Sequence, residues 1–328
     1  MDHRAGFSAG LALKPSIRAR DPRFICLALA LLSVAAALFR PTLELSQAVF
    51  DHIVVVDITR SMSVADYRVE GRPTSRLESV KSALRSALRE LPCGSRLGLG
   101  LFTERRSFLL FEPIEVCSGF DAVDTAIERI DWRMAWGADS RIADGLYDAL
   151  SQFQNHGSNL IFVTDGQEAP PINRRYKREF GAFKGKLKGL IIGAGGLTPV
   201  PIPKFDERGE AIGFYSEDEV PHRSSFGLPP KSPSEIEGYH ERNAPFGSER
   251  VIGTEHLSAL REDYLRQLAD ETGLFYWRLE KTEELSAAMK KSELARFEAV
   301  AADIRWLPGG FALVALIVLY GVLPFRLR

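Results

Sequence analysis

Apolar and polar positions divide the chain into membrane-like, strand-like and helix-like stretches. Phe24 to Phe39 reads FICLALALLSVAAALF and Trp306 to Phe325 reads WLPGGFALVALIVLYGVLPF, two runs without charge. Such runs predict membrane helices; the second is long enough to span a bilayer, and the first is at the short end. No convincing small-x-small cleavage site precedes Arg40, which favours an uncleaved anchor over a signal peptide.

Between the two runs the periodicity alternates. Val49 to Val56 is β-branched and almost continuously apolar, as a central parallel strand must be, and it delivers Asp57 to the strand's C-terminal edge. Ser75-x-x-Glu78 forms a capping-box pattern ahead of Leu77, Val80, Leu84, Leu88 and Leu91, an amphipathic helix that runs to Pro92. Arg96–Thr103 and Ser107–Phe111 read as two strands joined by the polar turn Glu104-Arg105-Arg106. Helices are predicted over Phe120–Ile130 and from about Ser140 to Phe153, and strands over Asn159–Thr164 and Leu187–Ile192. A helix over Leu257–Thr272, stopped by Gly273, and a short strand over Leu274–Arg278 follow.

This alternation predicts an α/β fold: a doubly wound, mostly parallel sheet with an antiparallel edge hairpin, flanked by two transmembrane helices. In such a sheet, sites form at the C-terminal edge of the strands. The Pro-rich and Gly-rich stretch 197–253 interrupts the pattern, and its aromatics, among them Phe205, Phe214, Tyr215, Phe226, Tyr239 and Phe246, favour a folded or partner-bound excursion over a linker. Leu285, Met289, Leu294, Phe297 and Val300 predict a helical stalk. The expected organisation is a cytoplasmic tail (1–23), an anchor (24–39), a main domain (45–281) carrying the 197–253 insertion, a stalk (282–305) and a second span (306–325).

Charge sets the orientation. The tail carries Arg4, Lys14, Arg18, Arg20 and Arg23 against Asp2 and Asp21, and the C-terminal stub carries Arg326 and Arg328. The positive-inside rule therefore places both ends in the cytoplasm and the main domain outside, in the periplasm of a bacterial inner membrane. Over the whole chain Lys+Arg number 42 against Asp+Glu 43, a net charge of −1 that excludes a nucleic-acid binder relying on phosphate neutralisation. Of the three cysteines, Cys26 lies in the first apolar run, while Cys93 and Cys117 bracket the hairpin, where they would meet and bridge in an oxidising compartment.

Three loops meet at the predicted sheet edge: Asp57-Ile58-Thr59-Arg60-Ser61, then Gly137-Ala138-Asp139-Ser140-Arg141 at a helix start, then Val163-Thr164-Asp165-Gly166 at a strand end. Carboxylates and hydroxyls without a soft ligand suit Mg²⁺ best, with Ca²⁺ or Mn²⁺ as alternatives. Each residue also has a local reading, since Asp57, Thr59 and Ser61 favour Asx and ST turns, Asp165-Gly166 is a common turn pair, and Asp139 and Ser140 suit an N-cap. Trp132 and Trp136 either flank this face as partner anchors or pack in the core. Phosphate-loop, zinc-protease and nucleophile-elbow motifs are missing from the sequence, and Gly193-Ala194-Gly195-Gly196 runs into a Pro-rich loop where a dinucleotide fingerprint needs a helix.

With these residues in place, the chain resembles the von Willebrand factor type A domains. Their metal-ion-dependent adhesion site is built from an Asp-x-Ser/Thr-x-Ser loop, a Ser or Thr in a second loop and an Asp in a third. The resemblance implies a divalent-ion site of Asp57, Thr59, Ser61 and Asp165, with either Ser140 or its neighbour Asp139 from the second loop. It implies that Thr59 and Ser61 ligate directly, that Asp57 and Asp165 act through water, and that an open position awaits an acidic residue of a protein partner. Arg133-Met134-Ala135-Trp136, Thr164-Asp165-Gly166-Gln167-Glu168-Ala169-Pro170-Pro171, Asn243-Ala244-Pro245-Phe246-Gly247 and Gly253-Thr254-Glu255-His256-Leu257 are similar to the MxaL-type accessory proteins of bacterial methanol-oxidation clusters. That resemblance implies a non-enzymatic role in maturing a periplasmic calcium- and quinone-dependent methanol dehydrogenase, with the enzyme or its accessory proteins as partners. The alternatives are a Bat-like envelope stress or assembly protein, and a metal-dependent hydrolase with Glu168 or Asp139 as base.

Overall fold

The computed structural model describes residues 21–69, 71–137, 139–171, 177–206, 208–220 and 253–326. They fall into two units, residues 48–298 and residues 1–47 with 299–328. The larger unit extends beyond the expected 45–281 domain at its C-terminal end.

The larger unit is organised by strand β1 (Asp51–Asp57), whose residues beyond Asp51 are all buried. After it come helix α1 (Arg76–Glu90), strands β2 (Arg96–Thr103) and β3 (Arg106–Glu115), and helices α2 (Phe120–Glu128) and α3 (Ile142–Phe153). Strands β4 (Asn159–Thr164) and β5 (Gly189–Ala194), helix α4 (Glu262–Thr272), strand β6 (Phe275–Leu279) and helix α5 (Glu284–Met289) complete it. The six strands form one sheet in the order β6-β5-β4-β1-β2-β3. All pairings are parallel except β2 with β3, which is the antiparallel edge hairpin expected from the sequence.

Successive β1 side chains feed opposite layers, as the two-residue period of a strand requires. Val54 and Val56 pack with Val80, Leu84 and Leu88 of α1, Val123 and Ile127 of α2, and Leu285 and Met289 of α5. Ile53 and Val55 pack with Leu146 and Leu150 of α3 and Leu265 and Leu268 of α4. Helices thus cover both faces, which is the doubly wound arrangement. Strand order reverses between β1 and β4, so the carboxyl ends of these two strands open the crevice in which such folds hold ligands.

Local signals act as expected at several ends. The Ser75 hydroxyl accepts from the Glu78 N–H at 3.2 Å, capping α1, while the Glu78 carboxylate pairs with Lys81 at 2.6 Å. Helix α4 ends at Gly273, whose φ of 79° is the left-handed value glycine adopts without strain. Cys93 and Cys117, with Cα atoms 5.3 Å apart, form the disulfide that closes the hairpin.

The predicted stalk over 282–305 takes a different form. Only Glu284–Met289 is α-helical, and Arg296–Asp303 is a strand. Leu285 and Met289 face α1 and belong to the core, and Ser286 donates to Glu90 at 2.6 Å, so the first half is part of the larger unit. The second half pairs with Thr42–Val49, and that pairing overrides the helical spacing of its apolar residues.

In the smaller unit, Pro22–Leu38 is a helix and packs along Trp306–Ile317, which continues through a π-helical Val318–Val322 into Leu323–Arg326. Among the described residues no helix is long and apolar enough to cross a membrane. Most of the predicted tail, 1–20, and the greater part of the insertion, 221–252, lie outside the described residues, as does Asn243–Gly247.

Candidate metal centre

The crevice between β1 and β4 collects the hydroxyls and carboxylates of the three loops. Asp57, the last residue of β1, is fully buried. One carboxylate oxygen accepts the Thr59 N–H at 2.8 Å, an Asx-type contact that turns the chain, and the other accepts the Thr164 hydroxyl at 2.6 Å from the end of β4. The turn continues into a single 3₁₀ turn over Arg60–Ser63 and sets the Thr59 and Ser61 hydroxyls 3.3 Å apart.

The second loop is fixed by backbone bonds. Ser140 N–H donates to the Ala169 carbonyl at 2.7 Å, Ala169 N–H donates back at 2.8 Å, and Arg141 N–H donates to the Glu104 carbonyl at 2.6 Å. These bonds strap Ser140 between the third loop and the β2–β3 turn. Thr59, Ser61 and Ser140 consequently line one cleft, together with Arg60, Gln167, Ala169, Ile202, Tyr215, Val220 and Glu255. Asp139 is half-buried and does not line it. Of the two second-loop candidates, Ser140 is the one brought to the cleft.

Asp165 is fully buried in the third loop, and one of its oxygens accepts the Gln167 N–H at 2.9 Å. Between them Gly166 has a φ of 76°, and a Cβ there would also crowd the Leu265 side chain at 3.0 Å. The other Asp165 oxygen accepts from Arg76 at 2.5 Å and from the Ser258 hydroxyl at 3.1 Å. Arg76 also donates to Asp66 at 2.7 Å, to Ser258 Oγ at 2.6 Å and to the Ser61 carbonyl at 3.5 Å, so one buried guanidinium ties the first and third loops together.

Arg76 and Ser258 were not among the candidates read from the sequence. One signal for Arg76 existed: a cation in the first turn of α1 opposes the helix dipole and needs another reason to be there. Ser258 sits in a short strand after the insertion, and no local pattern links it to Asp165.

The electrostatics distinguish the two aspartates. Arg76 neutralises Asp165. Among the described residues no guanidinium or ammonium pairs with Asp57, and burial, reinforced by the Asp165 charge, pushes its pKa up to about 7. The Ser140 hydroxyl is buried without a hydrogen-bond partner among the described residues. An orphaned hydroxyl, two further hydroxyls 3.3 Å apart and a buried carboxylate lacking a cation make a donor set that fits a small hard divalent ion.

Other expected groups have different roles. Glu168 accepts from the Ala143 N–H at 2.9 Å and the Tyr264 hydroxyl at 2.7 Å, so its carboxyl serves the start of α3, and burial pushes its pKa up to about 7. Trp132 is half-buried beneath Arg60, whereas Trp136 is 60% exposed and donates to Glu104 at 3.3 Å. The Gly195 and Gly196 N–H groups donate to Tyr67 at 3.0 Å and Asp66 at 2.8 Å, so this glycine run is a hydrogen-bonded turn, followed by the short strand Val200–Pro201. Among the described residues the one cluster of thiols and carboxylates is Cys93, Glu115 and Cys117, whose sulfurs are bonded to each other.

Residues 52–167 match the family model of the von Willebrand factor type A domain, a span that contains all three loops. No curated protein matches the chain. Among solved structures, the chain is similar to protein BatB of Bacteroides thetaiotaomicron, a conserved hypothetical protein, at 17% identity over 74% of this chain and 95% of that one, with a TM-score of 0.48. It is also similar to an aerotolerance-related membrane protein of Bacteroides fragilis, solved with multiple mutations to serines, at 15% identity over 73% and 96%, TM-score 0.46. An uncharacterized membrane-spanning protein of Vibrio fischeri matches at 20% identity over 73% and 94%, TM-score 0.28.

Proposed function

We propose that this chain is a membrane-anchored, metal-dependent protein-interaction module, with its metal centre at the carboxyl ends of β1 and β4. The observation that carries this reading is the convergence of the Thr59, Ser61 and Ser140 hydroxyls on one cleft, with Ser140 Oγ buried and unpaired among the described residues. These three hydroxyls would hold Mg²⁺, or Ca²⁺ or Mn²⁺, with Asp57 and Asp165 supplying negative charge behind them. When bound, the ion supplies a Lewis-acid position for a carboxylate of a protein partner. Asp57 orients the first loop through the Thr59 N–H, and Thr164 and Arg76 hold the two carboxylates in register.

A non-enzymatic role is supported by how the nearby acids are used. Of the two candidates for a general base, Glu168 is bonded to the α3 N-terminus and Tyr264, and Asp139 does not line the cleft.

Anchoring to the bacterial inner membrane is supported by the apolar surface of the smaller unit. Leu31, Phe311 and Tyr320 are each about 70% exposed on its helices, which in water is a liability and in lipid is the expected state. The basic flanks of the two apolar runs support a periplasmic location for the larger unit. The Cys93–Cys117 disulfide agrees with an oxidising compartment.

The sequence segments similar to MxaL-type proteins support a narrower role, assisting the maturation of a calcium- and quinone-dependent methanol dehydrogenase. The test is affinity capture from cell envelopes with the full-length chain in detergent, run with Mg²⁺ or Ca²⁺, with EDTA, and with Asp57→Ala. Partners recovered only by the metal-loaded wild type are expected, with the dehydrogenase or its accessory proteins among them. The same partners in all three experiments would refute the metal bridge, and a different metal-dependent set would refute the pathway alone.

A further inference from the structure

Arg60 lies between the two loop hydroxyls, Thr59 and Ser61, and lines the same cleft. Its guanidinium rests on the Trp132 ring, 3.7 Å from the centroid, and Trp132 in turn stacks on Phe205 at 5.1 Å. Stacking occupies the face of a guanidinium and leaves the N–H groups at its edge for an acceptor. Among the described residues Nη1 is buried without a hydrogen-bond partner, and no carboxylate is ion-paired with Arg60. A buried donor left unpaired is costly, and it persists where a ligand supplies the acceptor.

We infer that Arg60 is an anion subsite that reads a carboxylate entering the cleft, a recognition point separate from the metal hydroxyls. The planar fork of a guanidinium matches the planar carboxylate, so the aromatic platform fixes the angle at which the group is received. Glu255 lines the same cleft and is held by Gln167 Nε2 at 3.1 Å, so a dianionic phosphate would meet more repulsion than a singly charged carboxylate. Ile202, Tyr215 and Val220 also line the cleft and give it apolar walls beside the guanidinium. The carboxylate would come from an acidic side chain of a protein or from a free small acid. This inference rests on reading the cleft as a ligand site and is independent of whether an ion is bound.

The test is saturation-transfer NMR on the full-length chain in detergent, with acetate and the peptide acetyl-Gly-Asp-Gly-amide as observed probes and inorganic phosphate as a competitor against them, each in EDTA and in Mg²⁺. Wild type is expected to bind a carboxylate probe in EDTA, and to prefer it to phosphate. Arg60→Gln should weaken it about 10-fold or more, as loss of a charge-assisted hydrogen bond does. Arg60→Lys, which keeps the charge and loses the fork, should also weaken it. Unchanged melting temperatures of both variants establish that the loop is intact. Binding of the peptide alone assigns the source to a protein, and binding of acetate alone assigns it to a free acid. Equal binding by wild type and Arg60→Gln, no carboxylate binding in EDTA, or a preference for phosphate would overturn the inference. Metal-dependent carboxylate binding untouched by Arg60→Gln would do so while leaving the metal reading intact, whereas Arg60-dependent binding that Mg²⁺ and Asp57→Ala do not alter would keep the subsite and discard the metal reading.

Discussion

Arg76 Nη1 lies 2.5 Å from Asp165 Oδ2, and both side chains are completely buried. A buried pair of this kind is not itself evidence of net stability, yet removing one partner strands the other charge. Arg76→Met should therefore cost roughly 3–5 kcal/mol in denaturant unfolding, because Asp165 and Asp66 both lose their cation. Arg76→Met combined with Asp165→Asn should recover part of that loss. A single-variant cost below about 1 kcal/mol would show that the pair does not hold the loops.

The disulfide carries a separate expectation. It closes a loop of sequence separation 24, for which the chain-entropy account gives about 3 kcal/mol. Cys93→Ser with Cys117→Ser should lower stability by about that amount while leaving metal binding unchanged, since the bridge is at the β2–β3 hairpin base. Equal stability in the double variant would mean that the hairpin is held by its packing alone.

The elements that the sequence made legible are those whose period is long and whose burial is one-sided or complete. β1 and α1 are examples: a β-branched run and a five-leucine-or-valine stripe leave little ambiguity. That Asp57, Thr59, Ser61 and Asp165 gather at one sheet edge was legible because Asp57 ends one buried β-branched run and Asp165 directly follows another. The stretch after Thr282 was misread because its apolar residues fit a helix in isolation, and only pairing with Thr42–Val49 makes Arg296–Asp303 a strand. The choice between Asp139 and Ser140 depended on bonds to Ala169 and Glu104, both remote in sequence, and so did the finding of Arg76 beside Asp165.

That choice is open to direct measurement. Ser140→Ala should weaken Mg²⁺ or Mn²⁺ binding at least tenfold, because it removes a buried hydroxyl of the cleft, and Asp139→Ala should change it by less than about threefold. The reverse order of effects, followed by calorimetric titration, would move the second-loop ligand to Asp139.

Glu168 gives a pH dependence of known sign. Its pKa is about 7 in the fold against an ordinary 4.5, so the folded state favours the neutral acid. The stability this contributes is present below pH 4.5 and is lost as pH rises through about 7. Glu168→Gln cannot ionise and keeps an oxygen for the Ala143 N–H. Relative to wild type, its melting temperature should therefore rise steadily between pH 4.5 and 7.5, beyond which the gap is constant. Parallel curves for the two proteins across that range would show that Glu168 is charged in the fold.

The central claim is that the cleft between β1 and β4 binds a divalent ion through its hydroxyls, with the Asp57 carboxylate supplying charge behind them. It is tested most directly by thermal unfolding of the wild type and Asp57→Ala, each with EDTA and with Mg²⁺ or Mn²⁺ well above the dissociation constant. A ligand held only by the folded state at a hundredfold excess over its dissociation constant stabilises by about 2.7 kcal/mol. The wild type should show that gain and Asp57→Ala should show none. An equal shift in both proteins, or no shift in the wild type, would contradict the account.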